Sequence, residues 1–362
     1  MLGDRRATLI LLLVLCFAVV SISEIGMVEA EPKTIVVPDD YATITAAIDS
    51  ASEGDTIFVK EGTYNENLEI NKTLSLLGED KETTIIDGGK VGTVVNITQN
   101  SVKITGFTIR NSSNTPQSEL SPPPIDAGIL LYHNVHYCNI TGNYLTNNKN
   151  GIIIFSVSSN NNVFGNKIID NKYGISLLYS ADNNTISGNE IRENDHAGIY
   201  MNQVLGNIIS ANNITNNNHG ILTFEVSYNK IIENQIENNN RGISSGWNAK
   251  HIIYHNNFIN NPVQVYYNSS SVSTWDNGSE GNYWDDYTGV DNDGDGIGDT
   301  PYVIDDNNRN NFPLMNPWIP PNQKSEPFPI TWILVIIGII AIVGVAILVF
   351  FIKTKKTRDD VK

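Results

Sequence analysis

An asparagine recurs along the middle of this chain at a spacing of 22 or 23 residues. An apolar residue follows each of these asparagines two positions later. Self-similarity at a fixed period of this length indicates a repeat architecture, in which one structural unit is written several times and stacked on itself. The asparagines are Asn143, Asn166, Asn189, Asn212, Asn234 and Asn256.

Two more apolar columns keep the same period, so each repeat contains three short apolar patches. Short runs of β-branched residues separated by Gly and Asn are typical of strands and turns. Three strands per repeat predict an all-β fold, a parallel β-helix with rungs of 22 or 23 residues, in which each strand pairs with its equivalent one rung away. The two columns are Ile140, Val163, Ile186, Ile209, Ile231, Ile253, and Ile152, Ile175, Ile199, Ile221, Ile243, Val265.

The asparagines themselves fit the corners of such a solenoid. Asn tolerates left-handed backbone angles, and its side-chain amide can bond its own backbone or the next Asn in a stack. We therefore interpret the columns as structural and not as sugar or metal ligands. Two further columns mark other corners: Asn161, Asn184, Asn207, Asn229, and Asn148, Asn171, Asn194, Asn217, Asn239, Asn261.

The period is interrupted once, upstream of the main repeats. Gly106 and Gly142 occupy equivalent places but lie 36 residues apart, 13 more than one rung. The surplus is the Ser/Pro-rich stretch 112–124, which we expect to project as a loop. Long loops on rigid scaffolds often carry binding residues, although a tolerated insertion without a role is an equal alternative.

The charge balance argues against nucleic acid as a partner. The chain has 39 acidic residues against 23 basic ones, for a formal net charge of -16, and its Lys and Arg residues are scattered along the sequence. Nucleic-acid-binding proteins instead concentrate basic residues in patches that neutralise phosphates.

Both ends of the chain have features of membrane targeting. Residues 1–30 combine Arg5 and Arg6 with an apolar core and small residues near Ala30, which predicts a secretory signal peptide; its retention as an anchor is the alternative. Residues 330–352 are 23 apolar residues without a charge, long enough to cross a bilayer. The basic tail 353–362 then places the C-terminus in the cytoplasm and the β-helix outside the cell membrane.

The two ends of the predicted solenoid need covering, because exposed strand edges promote association. Ile44, Ala47, Ile48 and Ala51 lie on one face at helical spacing and predict an N-terminal cap helix. At the other end, an Asp/Gly-rich stretch predicts a C-terminal cap. The resulting organisation is a β-helix over 31–285, an acidic cap over 286–316 and a Pro-rich linker over 317–329.

Motifs near both ends resemble known β-helix proteins. The segments 54–59, 62–66, 74–78 and 84–88 resemble the opening rungs of the pectin-lyase-like superfamily. The segments 281–287, 291–302 and 311–314, together with the Asn/Gly rungs, look like the NosD-type right-handed β-helix family, also described as carbohydrate-binding and sugar-hydrolase repeats. The resemblance covers roughly Ile35 to Leu314 and implies a right-handed solenoid at a cell surface with carbohydrate as its partner.

NosD relatives in nitrous oxide reductase maturation are associated with copper, which makes the histidines candidate metal ligands. His133 and His136 lie near Cys138, a set of residue types that can hold Cu or Zn. Residues 133 and 136 of a strand would point to opposite faces, and no ordered ligand signature is present. We therefore do not expect copper. His196 and His219 are one rung apart, and His251 takes the place of an Asn in a corner column.

The acidic cap suggests a calcium site. Asp291, Asp293, Asp295 and Asp299 occupy positions 1, 3, 5 and 9 of an EF-hand-like loop, in which Gly296 allows the sharp turn. Hard oxygen donors at this spacing suit Ca²⁺. Because Tyr302 stands at position 12 in place of the usual Glu, Asp305 or Asp306, a backbone carbonyl and water would have to complete the shell. A loop that folds without metal is the alternative.

A polysaccharide-cleaving enzyme would need neighbouring carboxylates on one face. The densest polar rung offers Glu193 and Asp195, and Asp170 is aligned with Glu193 one rung earlier. These three residues are the candidate catalytic set, for a hydrolase or a lyase. Two solvated turn residues explain the alignment equally simply, and we favour that interpretation.

Aromatic residues spread over several rungs would suit sugar rings if they faced outward together. They are Tyr132, Tyr173, Tyr179, Tyr200, Phe224 and Trp247. The sequence therefore favours a membrane-tethered surface protein that binds carbohydrate or other envelope components without catalysis. A polysaccharide-cleaving enzyme is the alternative, and metal handling of the NosD kind is a weaker one.

Overall fold

Three parallel sheets wind into one right-handed solenoid, which confirms the predicted parallel β-helix. The computed structural model describes residues 31–113, 125–246, 249–267 and 271–320. From β2 to β28, successive strands along the chain belong to sheets A, B and C in turn, and each strand pairs with its equivalents in the neighbouring rungs.

The strands of the three sheets are short. Sheet A contains β1 (Thr34–Val37), β2 (Thr56–Val59), β5 (Ser75–Gly78), β8 (Lys103–Thr105), β11 (Asn139–Thr141), β14 (Asn162–Phe164), β17 (Thr185–Ser187), β20 (Ile208–Ser210), β23 (Ser227–Ile232) and β26 (Lys250–Tyr254). Sheet B contains β3 (Gly62–Tyr64), β6 (Thr84–Asp87), β9 (Thr108–Arg110), β12 (Tyr144–Thr146), β15 (Lys167–Ile169), β18 (Glu190–Arg192), β21 (Asn213–Thr215), β24 (Gln235–Glu237), β27 (Asn257–Ile259) and β29 (Tyr283–Trp284). Sheet C contains β4 (Leu68–Ile70), β7 (Val95–Ile97), β10 (Ala127–Tyr132), β13 (Asn150–Phe155), β16 (Tyr173–Leu178), β19 (Ala197–Asn202), β22 (His219–Phe224), β25 (Arg241–Ser245) and β28 (Val263–Tyr267).

The isoleucine columns of the sequence line the inside of the solenoid. In sheet A, Ile186 pairs with Val163 in one neighbouring rung and with Ile209 in the other. In sheet C, Ile175 pairs with Ile152 and Ile199 in the same way. Side chains of these columns are fully buried except Val265, which is partly buried. Their stacking forms the continuous apolar core expected when equivalent residues of a repeat superimpose.

The asparagine columns lie at the corners and bond from rung to rung. The Oδ1 atom of Asn166 accepts the backbone N–H of Asn143 at 3.0 Å, and its Nδ2 atom donates to the carbonyl of Ile140 at 2.8 Å. Both asparagines are buried. Their amides satisfy backbone groups that the turns would otherwise leave unpaired inside the protein, so these columns are structural.

A short helix of about two turns lies beside the first rungs. Helix α1 covers Ile44–Ser50, and the side chain of Thr43 accepts the N–H of Ala46 at its N-terminus. The carboxylate of Glu66 also accepts the N–H of Ile44 at 2.9 Å, which suits the positive end of a helix. Ile44, Ala47 and Ile48 are buried as their spacing predicts, and the helix packs against β1, β2 and β4.

Aromatic rings occupy the core at the opposite end. Phe258 stacks on Trp284 with ring centroids 4.3 Å apart, and Trp284 stacks on Tyr302 at 4.2 Å. Tyr302 belongs to a small antiparallel hairpin of β30 (Tyr302–Val303) and β31 (Arg309–Asn310). Asn310 continues an asparagine column, because its Oδ1 atom accepts the backbone N–H of Asn282 at 2.7 Å.

Several predicted segments lie outside the described residues. These are the signal peptide 1–30, most of the linker 317–329, the membrane helix 330–352 and the tail 353–362. Among the residues that are described, no helix has the length and apolar character needed to span a bilayer. Most of the insertion 112–124 is likewise outside them. At its start, Ser112 and Ser113 are buried, and Phe107 bonds the side chain of Asn143 across 36 residues of sequence.

Candidate functional site

Aromatic side chains from successive rungs meet on the outer surface of sheet C. Tyr132 stacks on Phe155 with centroids 5.9 Å apart, and Phe155 meets the edge of Tyr179 at 5.6 Å. Tyr200 lies 5.5 Å from Tyr173 and 6.1 Å from the ring of Phe224. We call this set the aromatic face: Tyr132, Phe155, Tyr173, Tyr179, Tyr200 and Phe224. Trp247, predicted for the same set, lies outside the described residues.

Alternation along the strands explains why these rings point outward. In β10, Ile129 and Leu131 face the core, so Leu130 and Tyr132 face the outside. Leu130 and Ile153 are nonetheless buried, because they belong to a second apolar cluster against which Phe155 and other rings of the aromatic face pack. The solenoid therefore carries an outer apolar layer on sheet C in addition to its core.

The last ring of the aromatic face lies over a residue without a side chain. A Cβ atom at Gly246 would collide with the ring of Phe224, so the glycine leaves room for the ring to lie flat along the surface. Phe224 and Tyr132, at the two ends of the face, are 40% and 41% exposed. Rings with this exposure remain available to a ligand.

Two histidines extend the aromatic face along the opposite edge of sheet C. The ring of His196 lies 4.8 Å from Tyr173 and 5.6 Å from His219. Nδ1 of His219 is 2.8 Å from the hydroxyl of Ser244. Burial lowers the pKa of both histidines, and the charge of Lys172 lowers the pKa of His196 further. Near neutral pH these rings act as neutral, partly apolar groups.

Three cationic side chains lie along the same edge of sheet C. The sequence analysis did not identify them as site residues. Lys149 and Lys172 immediately precede β13 and β16, and Arg241 begins β25. The guanidinium of Arg241 lies over the ring of Tyr266 at 4.4 Å, and the ammonium of Lys172 is 5.9 Å from the Tyr173 centroid. Lys149 and Lys172 share the position just before a strand of sheet C, whereas Arg241 lies one position later, in register with His219. No single column of the repeat therefore marked the three cations.

The predicted catalytic carboxylates lie at the corner between sheets B and C. Asp170 and Glu193 follow the paired residues Ile169 and Arg192, so they are neighbours on adjacent rungs as the alignment predicts. Both have left-handed backbone angles, with φ of 57°, and both are exposed, as is Asp195. The carboxylate of Glu193 pairs with the guanidinium of Arg192 at 2.6 Å. None of the three belongs to the aromatic face.

The acidic cap brings together three of the four predicted calcium ligands. Carboxylate oxygens of Asp291, Asp293 and Asp295 lie within 4.8 Å of one another, a spread that oxygens around one Ca²⁺ at 2.3–2.6 Å can have. Hydrogen bonds from the backbone of Gly296 lower the pKa of Asp291. Asp299 instead accepts the backbone N–H of Asn292 at 3.0 Å.

The residues suggested to complete the calcium coordination shell make other hydrogen bonds. Oδ1 of Asp305 accepts the backbone N–H groups of Asn307 and Asn308 at 2.7 and 2.8 Å. The hydroxyl of Tyr302 donates to Asp286 at 3.1 Å. Asp291, Asp293 and Asp295 likewise accept backbone N–H groups of their own loop, those of Gly296, Asp295 and Ile297.

The histidine and cysteine residues that are candidate copper ligands make other contacts in the turn after β10. His133 and His136 lie in the turn after β10 and not on a strand, so the strand argument applied to them was wrong. Nδ1 and Nε2 of His136 contact Ser159 Oγ at 2.9 Å and Asn134 Oδ1 at 3.0 Å. Cys138 is fully buried, and burial raises the pKa of its thiol to about 11. A neutral buried thiol and committed ring nitrogens do not fit copper.

Comparison with known proteins identifies a family over most of the solenoid. The family described as periplasmic copper-binding protein (NosD) matches residues 48–223 and 95–289. A probable ABC transporter binding protein NosD from Pseudomonas aeruginosa is 48% identical over 52 residues, which are 14% of this chain and 12% of that protein. The corresponding protein of Stutzerimonas stutzeri is 44% identical over 52 residues, with the same coverage. The chain thus matches only 12% of the length of these relatives.

A solved enzyme structure shares the architecture. DFA-IIIase from Arthrobacter chlorophenolicus A6, in complex with GF2, superposes with a TM-score of 0.50 at 15% identity, covering 63% of this chain and 70% of the enzyme. The periplasmic alginate epimerase AlgG superposes with a TM-score of 0.48 at 18% identity, covering 61% and 59%. At these identities the likeness concerns the fold alone. The chain belongs to the NosD family of right-handed parallel β-helix proteins.

Proposed function

We propose that this protein binds carbohydrate at the cell surface, without catalysis, through the aromatic face of sheet C. The observation that carries this proposal is the run of outward-facing rings along successive rungs, from Tyr132 to Phe224. A sugar ring has apolar C–H faces and a polar rim. Flat aromatic surfaces with polar groups at their margins match both parts.

The spacing of the rungs suits a polymeric ligand. Parallel strands repeat at about 4.8 Å along the solenoid axis, a distance comparable to the length of one sugar unit in an extended glycan. A glycan lying along the axis would therefore place about one sugar beside each rung. Hydroxyls at the margin have partners available, such as the side chains of Asn202 and Tyr200, which bond each other at 3.2 Å.

A hollow beside the first ring offers further polar contacts. It has a volume of about 430 Å³ and lies next to Tyr132, whose ring centroid is 6.3 Å from that of His133. Amide and hydroxyl groups line it: Thr98, Gln99, Asn100, His133 and Asn134, with Val157. Such groups would hydrogen-bond a sugar that extends past the end of the aromatic face.

Binding without cleavage is favoured by the position of the carboxylates. Catalysis of glycoside hydrolysis needs two carboxyl groups flanking the bond to be broken. Asp170, Glu193 and Asp195 are exposed at a corner, and Glu193 is paired with Arg192. A polysaccharide hydrolase or lyase using these residues is the competing proposal.

We also propose the remaining organisation inferred from the sequence. Helix α1 would cap the N-terminal end of rungs of 22 or 23 residues, and the loop at Asp291, Asp293 and Asp295 would bind Ca²⁺ in the C-terminal cap. The signal peptide 1–30 would be cleaved. A linker at 317–329 and a membrane helix at 330–352 would tether the solenoid outside the cell. We do not propose that the protein binds copper.

Retention of the full-length protein in gels containing neutral and acidic polysaccharides, with assay of new chain ends, tests this function. Replacing Tyr132 and Phe224 with Ser should weaken retention about tenfold, equivalent to about 1.4 kcal/mol. Matched controls are Tyr137→Ser and Tyr228→Ser, at exposed aromatics outside sheet C. Equal retention of all variants would refute the aromatic face as the carbohydrate-binding site. Chain cleavage lost in Glu193→Gln would favour the enzyme.

A further inference from the structure

We propose that Asn277 is a self-modification site, at which the backbone nitrogen of Gly278 attacks the side-chain amide and converts the asparagine to aspartate or isoaspartate. This inference is independent of carbohydrate binding. Asparagine followed by glycine occurs twice in the chain, as Asn150-Gly151 and Asn277-Gly278. Glycine has no side chain to obstruct attack by its own nitrogen, so these two dipeptides are the candidates in the sequence.

The amide oxygen of Asn277 is surrounded by three hydrogen-bond donors. Its Oδ1 atom accepts the backbone N–H of Ser279 at 3.0 Å, the hydroxyl of Ser279 at 2.9 Å and the backbone N–H of Glu280 at 2.8 Å. Attack on the amide carbon places negative charge on this oxygen. Donors fixed in advance around a developing oxyanion stabilise the transition state, so the turn supplies an oxyanion hole for its own first residue.

The attacking nitrogen lies next to a proton acceptor. The N–H of Gly278 donates to Oδ1 of Asp276 at 3.1 Å. Asp276 is 9% exposed, and its Oδ2 atom accepts the backbone and side-chain N–H groups of Asn311 at 3.2 and 3.0 Å. These bonds hold the carboxylate beside the nucleophile, where it can act as a general base.

The turn also brings the two reacting atoms together. The bond from the Ser279 N–H to the Asn277 side chain closes a ring of atoms that contains both the amide carbon of Asn277 and the nitrogen of Gly278. The backbone N–H of Asn277 donates to the carbonyl of Glu280 at 2.9 Å and closes the same turn through the main chain. The reacting groups are therefore positioned before the reaction begins.

The reaction needs no co-reactant other than water. The proton of the Gly278 N–H passes to Asp276 as the nitrogen forms a bond to the amide carbon of Asn277. The bond from that carbon to Nδ2 then breaks, and Nδ2 takes the proton from Asp276 and leaves as ammonia. Water opens the resulting succinimide ring. Opening at the former side-chain carbonyl gives aspartate, and opening at the main-chain carbonyl gives isoaspartate.

The other Asn-Gly dipeptide is an internal control. Asn150 is buried at the start of β13, which pairs with β10 on one side and β16 on the other. Its Nδ2 atom donates to the carbonyl of Asp126 at 3.1 Å, and its Oδ1 atom accepts the hydroxyl of Ser176 at 2.8 Å. We expect the fold to protect Asn150 and to activate Asn277.

Modification would alter the last rung of the solenoid. Isoaspartate adds a methylene group to the main chain within the turn that positions Glu280. The carboxylate of Glu280 lies 2.8 Å from Nε2 of His255, on which the ring of Trp318 stacks with centroids 3.5 Å apart. The reaction therefore acts beside the place where Trp318 packs against the solenoid.

The test follows both asparagines by peptide mass spectrometry while the full-length protein is kept at neutral pH, either folded or in guanidinium chloride. Conversion replaces an NH group by an oxygen atom, and electron-transfer fragmentation identifies isoaspartate. For each site the rate in the folded protein is compared with the rate in the denatured chain. Folding should accelerate the reaction at Asn277 about tenfold or more, through the donors to the oxyanion, and suppress it at Asn150.

Variants at the turn separate its chemistry from its shape, with each folded rate divided by the rate of the same variant in denaturant. Ser279→Ala removes the hydroxyl donor and should lower this ratio about tenfold, whereas Ser279→Thr keeps the hydroxyl and should keep the ratio. Asp276→Asn should lower the ratio, and Asp306→Asn, at an exposed acid of the same cap, should not. Circular dichroism checks that each variant folds.

A reaction at Asn277 that is no faster in the folded protein than in the denatured chain overturns the proposal. An unchanged ratio in both Ser279→Ala and Asp276→Asn also overturns it, as does a product without isoaspartate. Asn277-Gly278-Ser279 is in addition a glycosylation acceptor motif. A glycan found on Asn277 would contradict self-modification, because the amide nitrogen would then carry the sugar.

Discussion

The Oδ1 atom of Asn189 accepts both the backbone N–H and the side-chain N–H of Asn166, at 2.9 and 3.1 Å, across one rung of the solenoid. The Nδ2 atom of Asn189 in turn donates to the carbonyls of Val163 and Ser187, and to the next asparagine, Asn212. One buried side chain thus satisfies backbone groups on two rungs and bonds a side chain on a third. The corner depends on the amide and not only on the shape of the residue.

Replacement of Asn189 by Ala should therefore destabilise the protein strongly. The substitution leaves buried N–H and C=O groups without partners, and we expect a loss of about 2–4 kcal/mol in the free energy of unfolding. Urea unfolding of the full-length protein, followed by circular dichroism, measures it. Asn213→Ala is the matched control, because Asn213 is an exposed strand residue of sheet B. Equal losses in both variants would contradict a structural role for the asparagine column.

His251 makes the stability of the last rungs sensitive to acid. It replaces Asn in a corner column, pairs in register with Asn229 and is buried. Its Nε2 atom lies 3.4 Å from the hydroxyl of Thr223, and its Nδ1 atom has no hydrogen-bond partner among the residues that the structure describes. Burial lowers its pKa from 6.5 to about 4. The unfolded chain therefore binds a proton more readily than the folded chain does.

This pKa shift predicts stability that is complete above pH 6.5 and is lost as the pH falls towards 4. The loss attributable to His251 is about 3 kcal/mol, since each pKa unit corresponds to about 1.4 kcal/mol. Urea midpoints of the wild type and His251→Asn at pH 7 and pH 4.5 measure it. Other groups titrate in both proteins. The quantity to compare is therefore the change in urea midpoint between pH 7 and pH 4.5 in the wild type and the same change in His251→Asn. An unchanged pH effect in the variant would exclude His251 as the cause.

Calcium should raise the melting temperature through the acidic cap. Binding to the folded state alone stabilises it by mass action, and Asp291, Asp293 and Asp295 would supply the ligands. We expect chelation to lower the melting temperature of the wild type and to leave Asp291→Asn/Asp293→Asn unchanged. Glu69→Gln, at an exposed acid far from the cap, should respond as the wild type does. A wild-type melting temperature indifferent to chelator would count against the site.

The repeat architecture could be predicted because its residues obey a single period. The columns of Asn143 and Ile140 continue through the rungs, and equal spacing in sequence becomes stacking in space when strands pair one rung apart. Helix α1 was also predictable, since Ile44, Ala47 and Ile48 recur at helical spacing.

The candidate site was less accessible to sequence reasoning, because its residues do not share one column. Tyr173 and Tyr200 occupy different positions in their strands. Because of the extra residue at His196, the sequence spacing between equivalent residues of these two strands departs from the period. Lys172 lies one residue before its strand of sheet C, whereas Arg241 is the first residue of its own strand. Asp299 has the spacing of a calcium ligand, but the local turn directs it to Asn292. Such details depend on side-chain directions that no period specifies.

The most direct test of the carbohydrate-binding face is hydroxyl-radical footprinting of the full-length protein with and without polygalacturonate. Mass spectrometry of the labelled peptides reports the accessibility of each aromatic ring. Our account predicts protection of Tyr132, Tyr200 and Phe224, with unchanged labelling of Tyr137 and Tyr228, which are 61% and 70% exposed away from sheet C. Protection of Tyr137 or Tyr228 with unchanged labelling of the aromatic face would contradict it.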